Sequence, residues 1–143
     1  MSYQEVRRVF EAPVSDALAN LAEPVTLFVD NQPFVDADAA EEYAVMRLDF
    51  GQTNVSMLQE NIEFLRGSLV VEVFCPKNRG PGRAQVVIQA VIEALLGIGT
   101  CGPKPTSGAY GRLNELSGPS FYSMDNKPFF SARCGAGFIA SYN

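Results

Sequence analysis

The sequence predicts an α+β fold: a mostly antiparallel, mixed β-sheet with two main helices packed on it, in a single domain spanning 1–143. Three observations carry this expectation. Apolar residues from Val6 to Leu21 recur at helical spacing, and those from Ala84 to Leu95 do so again after a Gly-Pro-Gly. From Phe129 to Tyr142 the alternation instead has period two, which is the signature of a strand with one buried face.

The first helix opens on a capping box, with Ser2 as N-cap and Glu5 three residues on. Val6, Val9, Phe10, Val14, Ala17, Leu18 and Leu21 then form its apolar stripe. Pro13 removes one backbone hydrogen bond, so a kink or short break is expected near Glu11 to Pro13. Pro24 ends the segment. Val25–Asp30 reads as a short strand and is followed by an acidic loop. In Ala44–Phe50, Met46, Leu48 and Phe50 share one face, with Val45, Arg47 and Asp49 on the other. Gly51–Asn61 reads as a polar link. Ile62–Cys75 reads as a long strand with Leu69, Val71, Val73 and Cys75 on one side. The second helix is expected over Arg83–Leu96, closed by Gly97 as its C′ residue. Gly97–Ser107 is a Gly/Pro-rich loop. A strand follows over Gly108–Leu116, then a turn at Gly118-Pro119. A hairpin around Asp125-Asn126 pairs Phe121–Met124 with Phe129–Tyr142. In that last strand Phe130, Ala132, Cys134, Ala136, Phe138, Ala140 and Tyr142 all point one way.

Composition narrows the function classes. The chain has 143 residues, 47% of them hydrophobic, enough for a core without disulfides or metals. Its net charge of −5 argues against a nucleic-acid grip, which draws on a Lys/Arg surplus. There is no histidine, which removes Ser-His-Asp and Cys-His mechanisms and all but all-cysteine zinc sites. Cys75, Cys101 and Cys134 form no C-x-x-C pair and read as reduced structural thiols. The N-terminus lacks an apolar signal region. The most apolar stretch, Val86–Ile98, is interrupted by Gln89 and Glu93 and is too short and polar to span a bilayer.

Two places invite a chemical reading. Gly80-Pro81-Gly82 lies between a strand and a helix, where a phosphate loop would sit. However, the run gives G-x-G-x-x-Q, no Lys-Ser or Lys-Thr follows, and Pro81 has no N–H for an anion nest. A turn with Pro81 at the first helical position accounts for every residue. Lys77, Arg79 and Arg83 remain available for an acidic partner surface. The carboxylates Asp36, Asp38, Glu41 and Glu42 form the densest charge cluster, but their spacing matches no EF-hand or paired-acid motif. They read as a solvated loop. No catalytic constellation is assembled, so the chain is not expected to be an enzyme.

The order of motifs resembles the tail-terminator or tail-completion proteins of tailed bacteriophages. More narrowly, it resembles a small group of phage proteins placed with them. Their central stretch runs R-G, a β-branched strand, V-F-x-P, a glycine turn and an apolar helix. Here these are Arg66-Gly67, Leu69–Val73, Val73-Phe74-Cys75-Pro76, Gly80–Gly82 and Ala84–Leu96. Their closing segment is matched by Gly118-Pro119-Ser120 and by Phe129-Phe130, where the family often carries Trp-Tyr. The resemblance implies a homohexameric ring that caps the head-proximal end of the tail tube, stops its polymerisation and joins head to tail. It implies no cofactor and no metal. The implied partners are further copies of the chain, the tail tube protein, a neck, connector or stopper protein, and the sheath where the tail is contractile. DNA would pass through without specific binding, and no membrane is involved. The protein would reside in the virion neck after assembly in the host cytoplasm. Within this reading, Gln52, Asn54, Val55, Met57, Leu58 and Gln59 of the polar link are the expected subunit or tube contacts. Asp36, Asp38, Glu41 and Glu42 would line or rim the channel. Two other readings remain open from the residues: a head-completion or stopper protein, and an α+β ligand-binding or enzyme-accessory domain.

Overall fold

A computed structural model describes residues 3–29, 42–56, 61–76, 80–99, 108–123 and 129–142. The elements run α1 (Tyr3–Ala19), β1 (Thr26–Val29), β2 (Tyr43–Ser56), β3 (Asn61–Pro76), α2 (Gly80–Gly99), β4 (Ala109–Ser123) and β5 (Phe129–Tyr142). The strands form one sheet in the order β1-β2-β3-β5-β4. β1 pairs with β2 in parallel and every other pairing is antiparallel. The expected α+β architecture is therefore the observed one, with both helices on the same side of the sheet.

Period arguments account for the core. Val6, Phe10, Val14 and Leu18 follow one another every fourth residue along α1, and all are fully buried. Ala84, Val87, Ile88, Val91, Leu95 and Ile98 form the buried stripe of α2. Alternate residues of the sheet meet them: Ala44, Met46 and Leu48 from β2, Leu69, Val71, Val73 and Cys75 from β3, and Ala132, Cys134, Ala136, Phe138 and Ala140 from β5. Phe138 is the hinge of this packing. Its ring lies 4.6 Å from that of Phe10 and 5.9 Å from that of Phe50, edge-on to the latter. Two glycines make room for these rings. A Cβ on Gly67 would collide with the Asp49 carbonyl and with Phe138, and one on Gly111 would sit 2.5 Å from Phe10 Cζ. Side chains of this size each contribute about 1.5–3 kcal/mol on burial.

The structure departs from the sequence expectations in four places. First, Pro13 does not break α1, which continues from Tyr3 to Ala19. Val14 and Leu18 beyond the proline are as buried as Val6 and Phe10 before it, so packing outweighs one missing hydrogen bond. The capping residue Ser2 lies outside the described residues. Beyond the helix, Val25 N–H donates to the Leu18 carbonyl at 3.1 Å and turns the chain toward β1. Second, most of the polar link Gly51–Asn61 is strand. β2 runs to Ser56 and pairs with a β3 that starts at Asn61. Register breaks between Phe50 and Gln52 and between Asn54 and Val55 interrupt the alternation, which hid the strand from a period-two reading. Third, Gly118-Pro119 is not a turn between strands. It is a bulge inside β4, between the Ser117–Gly135 and Ser120–Arg133 pairs. β4 is an edge strand, where a missing proline N–H removes no ladder bond. The expected pairing of Phe121 onward with the last strand is present, with Phe121 opposite Ala132. The residues around Asp125-Asn126 lie outside the described ones. Fourth, α2 extends from Gly80 to Gly99, so Gly97 is inside it. The extra turn seats Ile98, which is 3% exposed.

Cys75 and Cys134 are buried thiols outside any disulfide, and Cys101 lies outside the described residues. Burial pushes the Cys134 thiol up to about 11 from 9.0, opposed by a backbone hydrogen bond from Val71. Because the folded pKa is raised, the unfolded chain loses this proton first as pH rises. The associated stability is complete below pH 9 and is lost as pH rises to about 11. A two-unit shift corresponds to about 2–3 kcal/mol. Tyr43 and Tyr122 are shifted upward as well, chiefly by burial, and act in the same direction at higher pH. Urea midpoints are expected to hold steady to pH 9 and then fall. In Cys134→Ala the fall between pH 9 and 10 should be clearly shallower.

Candidate functional site

Among the sequence-predicted site residues, Glu42 is the one whose side chain is described, and it is not a free acidic charge. It stands just before β2, beside the first turn of α2. Arg83 Nε donates to both of its carboxylate oxygens, at 2.8 and 2.9 Å. Arg83 Nη2 donates to Glu42 Oε2 at 2.7 Å and to the Glu23 carbonyl at 2.8 Å. The two side chains are 13% and 8% exposed. The hydrogen bond to Glu42 is the main reason the guanidinium pKa rises, against the opposing effect of burial. The Glu42 carboxylate, expected at a channel rim, is thus engaged within the chain by Arg83. The same contact withdraws Arg83 from any acidic partner. Physically this is a clamp of forked geometry, holding the α2 N-terminus to the α1–β1 connection and the start of β2.

Gln52, Asn54 and Val55 lie on the distal half of β2, opposite Arg66, Phe64 and Ile62 of β3. Met57, Leu58 and Gln59, like Asp36, Asp38 and Glu41, lie outside the described residues. So do Lys77 and Arg79. The pairing places the first three on a strand, not in a link.

The sheet face turned away from the helices was not singled out by the sequence. Tyr43 and Phe74 stack there across β2 and β3, with ring centroids 4.8 Å apart, and Phe28 of β1 meets Tyr43 edge-on at 6.1 Å. Tyr122 Oη donates to Glu72 Oε2 at 3.0 Å across β5, which passes between their strands. Burial raises the Tyr122 pKa first, and the Glu72 hydrogen bond adds to it. Glu72 is paired in register with Arg133, and Arg47 with Val70. Period two reveals that each strand has two faces. It does not reveal which faces line up across strands distant in sequence, so this patch had no sequence signal.

Two concavities among the described residues are shallow. One of about 370 Å³ is lined by Asp49, Gly51, Arg66, Gly67 and Ser68, at the β2 bulge. Another of about 190 Å³ lies between the end of α2 and β4, lined by Leu95, Leu96, Leu113, Asn114, Glu115 and Leu116. Among the described residues, no group of three or more His, Cys, Asp or Glu is placed to hold a metal ion. No buried side-chain nitrogen or oxygen among them lacks a hydrogen-bond partner. No helix among them is long and apolar enough to cross a membrane. The outward sheet face presents aromatic surface with arginine and carboxylate at set positions.

No protein-family profile matches this chain, and no curated protein matches it. A solved protein designated only by a sequence number shares the fold, with a TM-score of 0.71 at 19% identity. The match covers 100% of this chain and 98% of that one. At this identity the likeness concerns the fold alone.

Proposed function

We propose that the protein is a structural virion component: a tail terminator that forms a ring on the head-proximal end of a phage tail tube. The ring ends tube polymerisation and presents a surface to the neck. The observation that carries the reading is the order of the motifs quoted above. Arg66-Gly67 and Val73-Phe74-Cys75-Pro76 belong to β3, Gly80–Gly82 open α2, Gly118-Pro119-Ser120 belongs to β4, and Phe129-Phe130 opens β5. The motifs that carry the resemblance thus fall in order along β3, α2, β4 and β5. A contact-making surface is what such a ring requires. The partners proposed are other copies of the chain, the tube protein and a neck or stopper protein, with DNA passing unbound.

Deleting the gene and imaging the particles tests this directly. The expected result is overlong tails that are not joined to heads, restored by the gene supplied in trans. Tails of normal length joined to heads would overturn the reading. Tails of normal length lacking heads would favour the stopper role instead.

A further inference from the structure

β4 is held unequally along its length. Up to Leu116 it is tied to the core: Gly111 is buried against Phe10, and Leu113 and Leu116 are partly buried beside the last turns of α2. From Ser117 to Ser123 no residue is buried, and Phe121 is 40% exposed. The ladder to β5 is interrupted between these stretches, after the Ser117–Gly135 pair and before the Ser120–Arg133 pair. Gly118 stands in the break at φ +97°, a backbone conformation that side chains rarely adopt, and a Cβ there would come 2.9 Å from the Arg133 carbonyl. Pro119 brings no N–H to the ladder. Such a break uncouples the strand beyond it, and stretches with few buried contacts open at lower cost than the core.

Past the break, side-chain ties take the place of burial. Tyr122 Oη reaches over β5 and donates to Glu72 Oε2 at 3.0 Å. Glu72 is set in register against Arg133, so the acceptor belongs to the centre of the sheet. Ser131 lies between Tyr122 and Phe74 in the register and is 3% exposed, although it stands on the outward face. On the helix side, the rings of Phe121 and Phe130 stack at 6.2 Å. A hydroxyl bonded to a carboxylate shifts an equilibrium by about tenfold or more.

We infer that Ser120–Ser123 is a strap that opens about Gly118 on its own, with the Tyr122–Glu72 hydrogen bond as its latch. Closed, it covers Ser131 and pairs with the outer backbone edge of β5 from Phe130 to Arg133. Open, it bares both, and a bare strand edge accepts another extended segment. The inference stands apart from the tail-terminator reading, and neither depends on the other.

Amide hydrogen exchange followed by NMR tests it, comparing the β4 amides bonded to β5 on the two sides of Gly118. In the wild type those within Ser120–Ser123 should exchange at least roughly tenfold faster than those within Gly111–Leu116. Tyr122→Phe, which keeps the ring, should speed the strap by about a further tenfold and leave Gly111–Leu116 unchanged. Glu72→Ala should do the same, and the double variant should go no further than either alone, because both changes remove one bond. Equal exchange on the two sides of Gly118 in the wild type would overturn the inference, since β4 would then open as one unit. A Tyr122→Phe strap that exchanges like wild type would overturn it by removing the latch. Rates that rise together on both sides, or additive effects in the double variant, would overturn it equally.

Discussion

Val91→Asp is expected to leave no cooperatively folded protein. Val91 is 0% exposed and lies mid-helix on the stripe that includes Val87, Ile88 and Leu95. The substitution removes apolar burial and inserts a carboxylate among buried apolar side chains, while Arg83 on the same helix already serves Glu42. An unpaired buried carboxylate either takes up a proton or costs several kcal/mol. With the lost burial, the total is about 5 kcal/mol, which equals the whole stability of many domains. Val86→Glu on the same helix, at 52% exposure, should change stability by less than about 1 kcal/mol. Thermal melts of the two variants check the contrast. A Val91→Asp protein melting like wild type would mean that α2 does not pack on the sheet. Val87→Asp, also 0% exposed, should behave like Val91→Asp.

Arg83→Met should be the next most damaging change, at about 3 kcal/mol. It strands the Glu42 carboxylate, whose side chain is 8% exposed, and leaves the Glu23 carbonyl without this donor. Breaking one side of a buried pair costs far more than the pair contributes net, because the remaining charge stays desolvated. Replacing both partners, as Arg83→Met with Glu42→Leu, should therefore recover most of the loss. Urea midpoints at unchanged m-value give the comparison. A single variant within about 1 kcal/mol of wild type would reduce the clamp to an ordinary surface pair. The arginine contributes no pH dependence near neutrality. Its folded pKa is raised, so its contribution is complete below the ordinary arginine pKa and is lost only above it.

Both predictions rest on features that differ in how legible they are. That Val91 is buried could be read from the spacing Ala84, Val87, Ile88, Val91, Leu95 alone. A helix has a fixed angular step, so local sequence fixes which residues share a face. The Arg83–Glu42 clamp joins residues 41 positions apart, and nothing in either local pattern points to the other. Glu42 was grouped with its acidic neighbours in sequence because charge density is a local property. Its actual partner was set by where β2 begins relative to α2.

The strands divide the same way. The sequence by itself determined the two helices and their buried stripes, the alternating core faces of β2, β3 and β5, and hence the α+β class. Each of these follows from a periodicity of 3.6 or 2.0 residues within one element. Only the tertiary structure decided that Gln52–Ser56 is strand, that Gly118-Pro119 is a bulge, and that Pro13 is carried within a continuous helix. In each case a partner distant in the chain outweighed the local signal. β3 supplies ladder bonds to polar residues, β5 holds β4 on both sides of the bulge, and the core grips α1 before and after the proline. The aromatic sheet face turned away from the helices belongs to the same class. Tyr43, Phe74 and Tyr122 come from three strands, and only the strand order β2-β3-β5-β4 brings them onto one surface.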